Sequence, residues 1–256
     1  MTTIIRKAVK ANWKGGMDAF AEVFHIAGLH PQVLGFSGDS STQYDVWADD
    51  PHVSRWLEPT GEANEDYPHK LSEQQKLDMI MKMSGATDVP LLPEGTKART
   101  FLAEGSRNFM SVHDACDYST ASDTEANDGM QYSLFPNMML FRNIAQPWVY
   151  RFLPVRDDPD QCIFEIFILG EKRKDDDDHA EIRVIDLGHG QSFQDAIVDF
   201  FPPYLAEVLD QDVWGIEGCQ EGMRAGGSAD VILSRYQEKR IRHLHQTLHR
   251  YLKGDL

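Results

Sequence analysis

NWKGGMDAFAEVFHIAGLHPQ, residues 12–32, is the stretch from which the rest of the chain can be read. Within it Glu22, His25 and His30 stand three and five residues apart, so one helical turn and the loop after it aim a carboxylate and two imidazoles toward one point. Imidazole suits iron, zinc and copper, and two His with one carboxylate and open positions suit Fe(II). A further ligand has to come from elsewhere, and the best candidate lies in PPYLAEVLDQDVWGIEGCQEGMRAGG, residues 202–227. Its spacing predicts a helix after Pro202 and Pro203, with an apolar stripe of Leu205, Val208, Leu209, Ile216, Cys219 and Met223. Asp212 falls in the middle of that stripe, where an ionised carboxylate is costly unless it is paired or holds a metal. Two readings stand side by side: a hydrogen bond to a nearby His or Arg, or metal ligation. Asp210 points to a different side, beside Ala206 and Trp214, and is the weaker candidate.

The 256 residues, 41% of them apolar, suffice for a full core in one domain. Lys and Arg number 25 against 41 acidic residues, a formal charge of -16. That balance argues against nucleic acid or an anionic membrane surface as partner and, where it is more than a solvated surface, favours a basic protein. The start, MTTIIRKAVKANWK, has no apolar core of a signal peptide, and no apolar run reaches membrane-spanning length. Three scattered cysteines, Cys116, Cys162 and Cys219, fit a reducing cytoplasm.

In chain order, residues 3–10 read as a strand leading into a helix over 13–25, loosened by Gly15 and Gly16 and stopped after His30 by Pro31. Residues 35–65 read as loop with a short strand at 43–47, and His52 and His69 as surface residues. Ser72 starts a helix reaching Met83, and a second runs over 96–112. Together they are expected to cap a pocket, with Met79, Met81, Met83 and Met110 as an adaptable lining or as ordinary core. STASDTEANDG, residues 119–129, reads as a surface loop or flap. Three apolar runs, Tyr132 to Phe141, Trp148 to Leu153 and Cys162 to Leu169, predict neighbouring antiparallel strands, and 180–187 a last one. Between them EKRKDDDDH, residues 171–179, reads as a solvated loop. A C-terminal helix over 231–252 carries His243, His245 and His249. His245 and His249 make a competing metal pair, but Arg240, Arg242 and Arg250 beside them oppose a cation, so a surface or subunit-contact helix is expected. No internal repeat, phosphate-binding glycine loop or serine-nucleophile motif is present.

The opening stretch resembles the NWK…E-x-x-H-x-x-x-x-H-P signature of the catalytic domain in the alpha subunit of Rieske-type aromatic-ring-hydroxylating oxygenases. Four further segments agree in order: GDSSTQYDVW (38–47), YSLFPNMMLF (132–141), YRFLPVRDDPDQCIFEIFIL (150–169) and LAEVLDQDVWGIEGCQEGM (205–223), the last matching D-x-x-x-x-E-x-x-Q. The resemblance implies one catalytic domain over 1–256, an α+β helix-grip (START-like) fold in which a bent antiparallel sheet packs on a long C-terminal helix. It implies His25, His30 and Asp212 as ligands of a mononuclear Fe(2+), and Glu22 as the acid that carries electrons to a ligand from a neighbouring cluster. By position Phe20, Ile26 and Leu29 are expected to line the substrate pocket. Asp18 and Ala19 stand where some members carry Glu-Asn, which departs from the pattern. The resemblance further implies O2 and an aromatic or related apolar substrate, electrons from NAD(P)H through a reductase or ferredoxin, and a trimeric assembly. Full-length members carry a [2Fe–2S] Rieske module with two Cys and two His. Here no C-x-H or C-x-x-H occurs, so that cluster is expected on a partner or a missing segment. Two other readings compete: a helix-grip protein that binds a small apolar molecule without catalysis, and an interaction subunit for a Rieske-bearing chain.

Overall fold

The computed structural model describes residues 2–65, 67–114, 116–146, 148–169, 182–196, 203–226 and 230–256. They form a mixed α+β fold around one eight-stranded sheet, in the order β2-β3-β4-β5-β6-β7-β1-β8. The strands are β1 (Thr2–Val9), β2 (Gln43–Trp47), β3 (Asp50–Glu58), β4 (Gly129–Leu134), β5 (Met138–Phe141), β6 (Trp148–Val155), β7 (Asp158–Ile168) and β8 (Ile182–Leu187). β6 and β7 form a long hairpin and β1 pairs antiparallel to β7, setting Ile5 opposite Ile166 and Tyr150 opposite Ile166 from the other side. The period of two puts Ile5, Tyr150, Phe152, Phe164 and Ile166 on one buried face. The other face is tied by Glu165, whose carboxylate accepts from Arg6 at 3.0 Å and Arg151 at 2.6 Å.

The sheet departs from the all-antiparallel expectation at one edge, where β8 runs parallel to β1, from Thr2 beside Ile182 to Lys7 beside Leu187. Lys7 holds this edge: its buried ammonium donates to the carbonyls of Gly188, His189 and Gln191. The run 132–141 is two strands, not one, because Phe135–Asn137 turn and Pro136 offers no N–H to a ladder. β3 is also new. Its Pro51 and polar residues masked a strand in which Ser54 and Trp56 are buried.

The helices are α1 (Trp13–Phe20), α2 (Ile26–Leu29), α3 (Glu73–Met83), α4 (Ala98–His113), α5 (Asp123–Asn127), α6 (Pro203–Ala225) and α7 (Lys239–Lys253). Ser72 caps α3 in a reciprocal box with Gln75, as its sequence predicts. The same box, Ser122 with Glu125, makes α5 out of the stretch expected to be loop. α1 and α6 lie on the apolar face of the sheet, where Met17, Phe20, Leu209, Val213 and Ile216 join its core. Gly16 permits this approach: a Cβ there would stand 2.3 Å from the Phe152 ring. The long helix is thus α6, not the C-terminal one, and its far end differs from the predicted stripe, since Cys219 and Met223 are exposed. α7 begins eight residues later than expected and packs on β2 and β3. It is no mere surface helix, because Arg240 is wholly buried, donating to Ala21 O, Ser54 Oγ, Gln131 Oε1 and Ser133 Oγ. The acidic block 171–179 and the start of the strand expected at 180–187 lie outside the described residues.

Candidate metal centre

α1 stops at Phe20, short of the helix expected to reach His25, because partners from distant parts of the chain take over its next backbone groups. Ala21 O accepts from Arg240 at 2.9 Å, and the Val23 N–H donates to Tyr44 Oη at 3.1 Å. The chain turns, and Glu22 folds back on its own loop. Its Oε2 accepts the His25 N–H and its Oε1 the His25 Nδ1–H, both at 2.9 Å. His25 and His30 flank the single turn of α2, at its N-cap and C-cap. Their rings meet edge to face with centroids 5.4 Å apart.

α6 brings Asp212 to the same point. It is fixed there by its later residues, since Glu217 accepts from the Lys10 N–H at 2.9 Å and Gln220 from the Asn12 N–H at 3.0 Å. These two bonds clamp the helix to the junction of β1 and α1. Asp212 Oδ1 lies 2.9 Å from His30 Nε2 and 3.6 Å from His25 Nε2. Asp210 turns away and accepts from Ser192 Oγ and the Phe193 N–H, a structural role consistent with its different helix face.

The donor set fits a divalent transition metal on the chemistry of its hydrogen bonds. His30 Nδ1 is 2.7 Å from Gln211 Oε1, an oxygen that also accepts from the Gln32 amide, so Nδ1 carries the proton. His30 Nε2 then meets a carboxylate oxygen with a lone pair of its own, a contact between two acceptors that only a proton or metal cation relieves. His25 is oriented in the same way by Glu22. Each imidazole therefore keeps its N–H on an oxygen acceptor and its second nitrogen toward Asp212, the usual support of metal-ligating His. One ligand atom each from His25, His30 and Asp212 lie within 4.8 Å of one another, the one such group of three found among the described residues. Burial works against the His25 imidazolium, but the Glu22 hydrogen bond and charge, with Asp212 and Glu58 adding theirs, push its pKa up to about 8. A metal bound here would take the place of that proton.

The three candidate ligands open into a cavity of about 510 Å³, within the range of small-molecule sites. Phe20 and Ile26 line it, whereas Leu29, expected there too, packs on Gly215 of α6. Ile80 of α3, its C-cap Ser84, and Leu102 and Ser106 of α4 line the cavity, so these helices do cover it. None of the four methionines expected as lining reaches it; Met79 instead packs against Gly35. Asp18 pairs with His245 at 2.9 Å, which removes His245 from the competing metal pair. Gln211, Ser37 and Glu58 escaped the sequence reading. Gln211 adjoins Asp212, which was a signal, but its direction depends on a helix register that neighbouring Asp210 leaves ambiguous. Glu58 sat in a stretch read as loop.

A sequence profile described as the ring hydroxylating alpha subunit (catalytic domain) matches residues 4–254. No curated protein sequence matches significantly. Among solved structures, the quaternary ammonium Rieske monooxygenase CntA bound to the inhibitor MMV12 superposes with a TM-score of 0.51 at 12% identity, over 97% of this chain and 48% of that one. Dicamba monooxygenase bound to dicamba gives 0.48 at 11%, over 100% and 60%. The terminal oxygenase of carbazole 1,9a-dioxygenase from Nocardioides aromaticivorans IC177 gives 0.45 at 14%, over 96% and 56%. The chain therefore spans roughly half the length of these proteins, and at such identities the likeness to the first is one of fold.

Proposed function

The chain belongs to the catalytic-domain family of ring hydroxylating alpha subunits, and from that premise we propose that it is a mononuclear non-haem iron oxygenase domain that hydroxylates an aromatic or related apolar substrate with O2. The observation that carries this reading is the convergence of His25 Nε2, His30 Nε2 and Asp212 Oδ1 in the wall of an aromatic-lined cavity, with both Nδ1–H groups already engaged. In this reading the chain is one catalytic domain, and the sheet face and α6 form the grip of a helix-grip fold, supported by the core they share.

His25, His30 and Asp212 are the proposed Fe(2+) ligands. Bound Fe(2+) supplies the electron and O2 chemistry that amino-acid side chains lack. The chain's own groups do the rest. Two neutral imidazoles and one carboxylate leave a ferrous ion net positive with open positions. Glu22 and Gln211 hold the imidazole protons at Nδ1 and so aim both Nε2 atoms inward. Glu22 is a positioning residue, buried and bonded to His25, and is the proposed link toward an external electron donor. Phe20, Trp56, Phe141 and Tyr150 hold an apolar ring beside the ligands and exclude water. The electrons are proposed to come from a Rieske [2Fe–2S] cluster outside the described residues, fed by a ferredoxin or reductase from NAD(P)H. Cys162 is unsuited to such a cluster, being buried with its thiol pushed up to about 12 by that burial. No helix among the described residues is long and apolar enough to cross a membrane.

The test is isotope incorporation. The Fe(II)-loaded chain is given labelled O2, a reduced Rieske ferredoxin and a panel of bicyclic aromatics. Label in a hydroxylated product, absent in His30→Ala, is expected; an iron-saturated chain that consumes electrons without labelling any product contradicts the reading.

A further inference from the structure

We propose that the cavity takes a substrate bearing a fixed or protonated cationic nitrogen, with Glu58 as its counter-charge, an inference that rests on reading this cavity as the substrate pocket. Among the described residues, three carboxyl side chains line the cavity, Glu22, Glu58 and Asp212, and no Lys or Arg does. Glu22 is committed to His25, and Asp212 to the two imidazole nitrogens. Glu58 is different. It ends β3, and its Oε1 accepts from the Ser37 hydroxyl, which also lines the cavity. Glu58 is half-buried, and its hydrogen-bond partner in the cavity wall is a neutral hydroxyl, a weaker match for a carboxylate than a cation; His25, the nearby imidazole, is already committed to Glu22.

The surroundings of Glu58 suit a cation as well as the carboxylate does. Trp56 lies two residues earlier on the same strand, and so on the same face as Glu58. Its ring meets Phe141 with centroids 6.1 Å apart, Phe141 meets Tyr150 at 4.7 Å, and Tyr150 meets Phe20 at 5.3 Å. This unbroken aromatic wall runs from beside Glu58 toward the ligands, and its faces attract a cation while its area holds an apolar body. Burial, with Asp39 and Asp128 nearby, pushes the Glu58 carboxyl up to about 7 despite Ser37 and His25. A bound cation would offset that. An anionic substrate, by contrast, would meet no Lys or Arg among the described lining residues, only the two imidazoles committed to Asp212.

A matched pair of probes tests this: benzyltrimethylammonium, which cannot ligate iron, and neopentylbenzene, its uncharged counterpart of the same shape. Binding of each is measured by anaerobic titration of the Fe(II)-loaded chain and of Glu58→Gln, which retains an acceptor for Ser37. The expected result is a preference for the cation of roughly tenfold or more in the wild type, lost in Glu58→Gln while the neutral probe binds both alike. Equal affinities in the wild type overturn the proposal and leave the pocket reading standing. A cation preference that persists in Glu58→Gln overturns the role of Glu58. Failure of both probes to bind overturns the proposal together with the pocket reading on which it rests.

Discussion

His30 is the most constrained residue of the candidate centre, 2% exposed, with Gln211 on one ring nitrogen and Asp212 on the other. If Gln211 fixes the proton at Nδ1, then Gln211→Leu frees the ring to adopt the other tautomer without touching any proposed ligand. Fe(II) affinity, read by competition with a chelator, is expected to fall roughly 10–100-fold. An unchanged affinity would show that Gln211 is only part of the packing. At this scale the sequence was legible in part. Asp212 stood out because a charge interrupted an apolar stripe, and the His pair because of its spacing and the Pro after it. Gln211 did not, since one step along a helix turns a side chain by about 100° and only the packed register says which neighbour it meets. Leu29 was misplaced for the same reason, facing Gly215 rather than the cavity.

At the scale of elements, the close seating of α1 on β6 sets where the loop of residues 21–25 begins. Gly16→Ala would drive a methyl into the Phe152 ring, which is packed against Phe20 and Phe164 with centroids 5.8 and 4.5 Å away. Overpacking of this kind is expected to cost about 1–3 kcal/mol in denaturant unfolding. Gly15→Ala, with open space around it, serves as the control. The sequence reading took both glycines as helix weakeners, because propensity is local while the need for Gly16 arises from a strand 136 residues away (152 minus 16). The same limit explains α1 itself. Periodicity carried the helix on to His25, but Arg240 and Tyr44 hold the Ala21 and Val23 backbone groups and let the chain leave the helix early. α5 and β3 were missed for lesser reasons: a capping box hidden in a polar stretch, and a strand with only two buried side chains at its centre.

For the whole molecule, the resemblance carried what periodicity did not, namely which distant segments meet. α1 and α6 share the sheet's apolar face and α2 packs on α6, so residues 22–30 and 212 close one site although the chain between them builds most of the sheet and the covering helices α3 and α4. The parallel pairing of β8 with β1 could not be read from strand composition, since the residues of a strand do not disclose the direction of its neighbour. The account's central claim is that this closure makes an Fe(2+) centre. Anaerobic titration of the chelator-stripped chain with Fe(II), followed by metal analysis after desalting, tests it most directly when run beside Asp212→Ala and Asp210→Ala. Saturation at a single equivalent in the wild type and in Asp210→Ala, with loss of retained iron in Asp212→Ala, is the result the account requires. Retention of a full equivalent by a folded Asp212→Ala would contradict it.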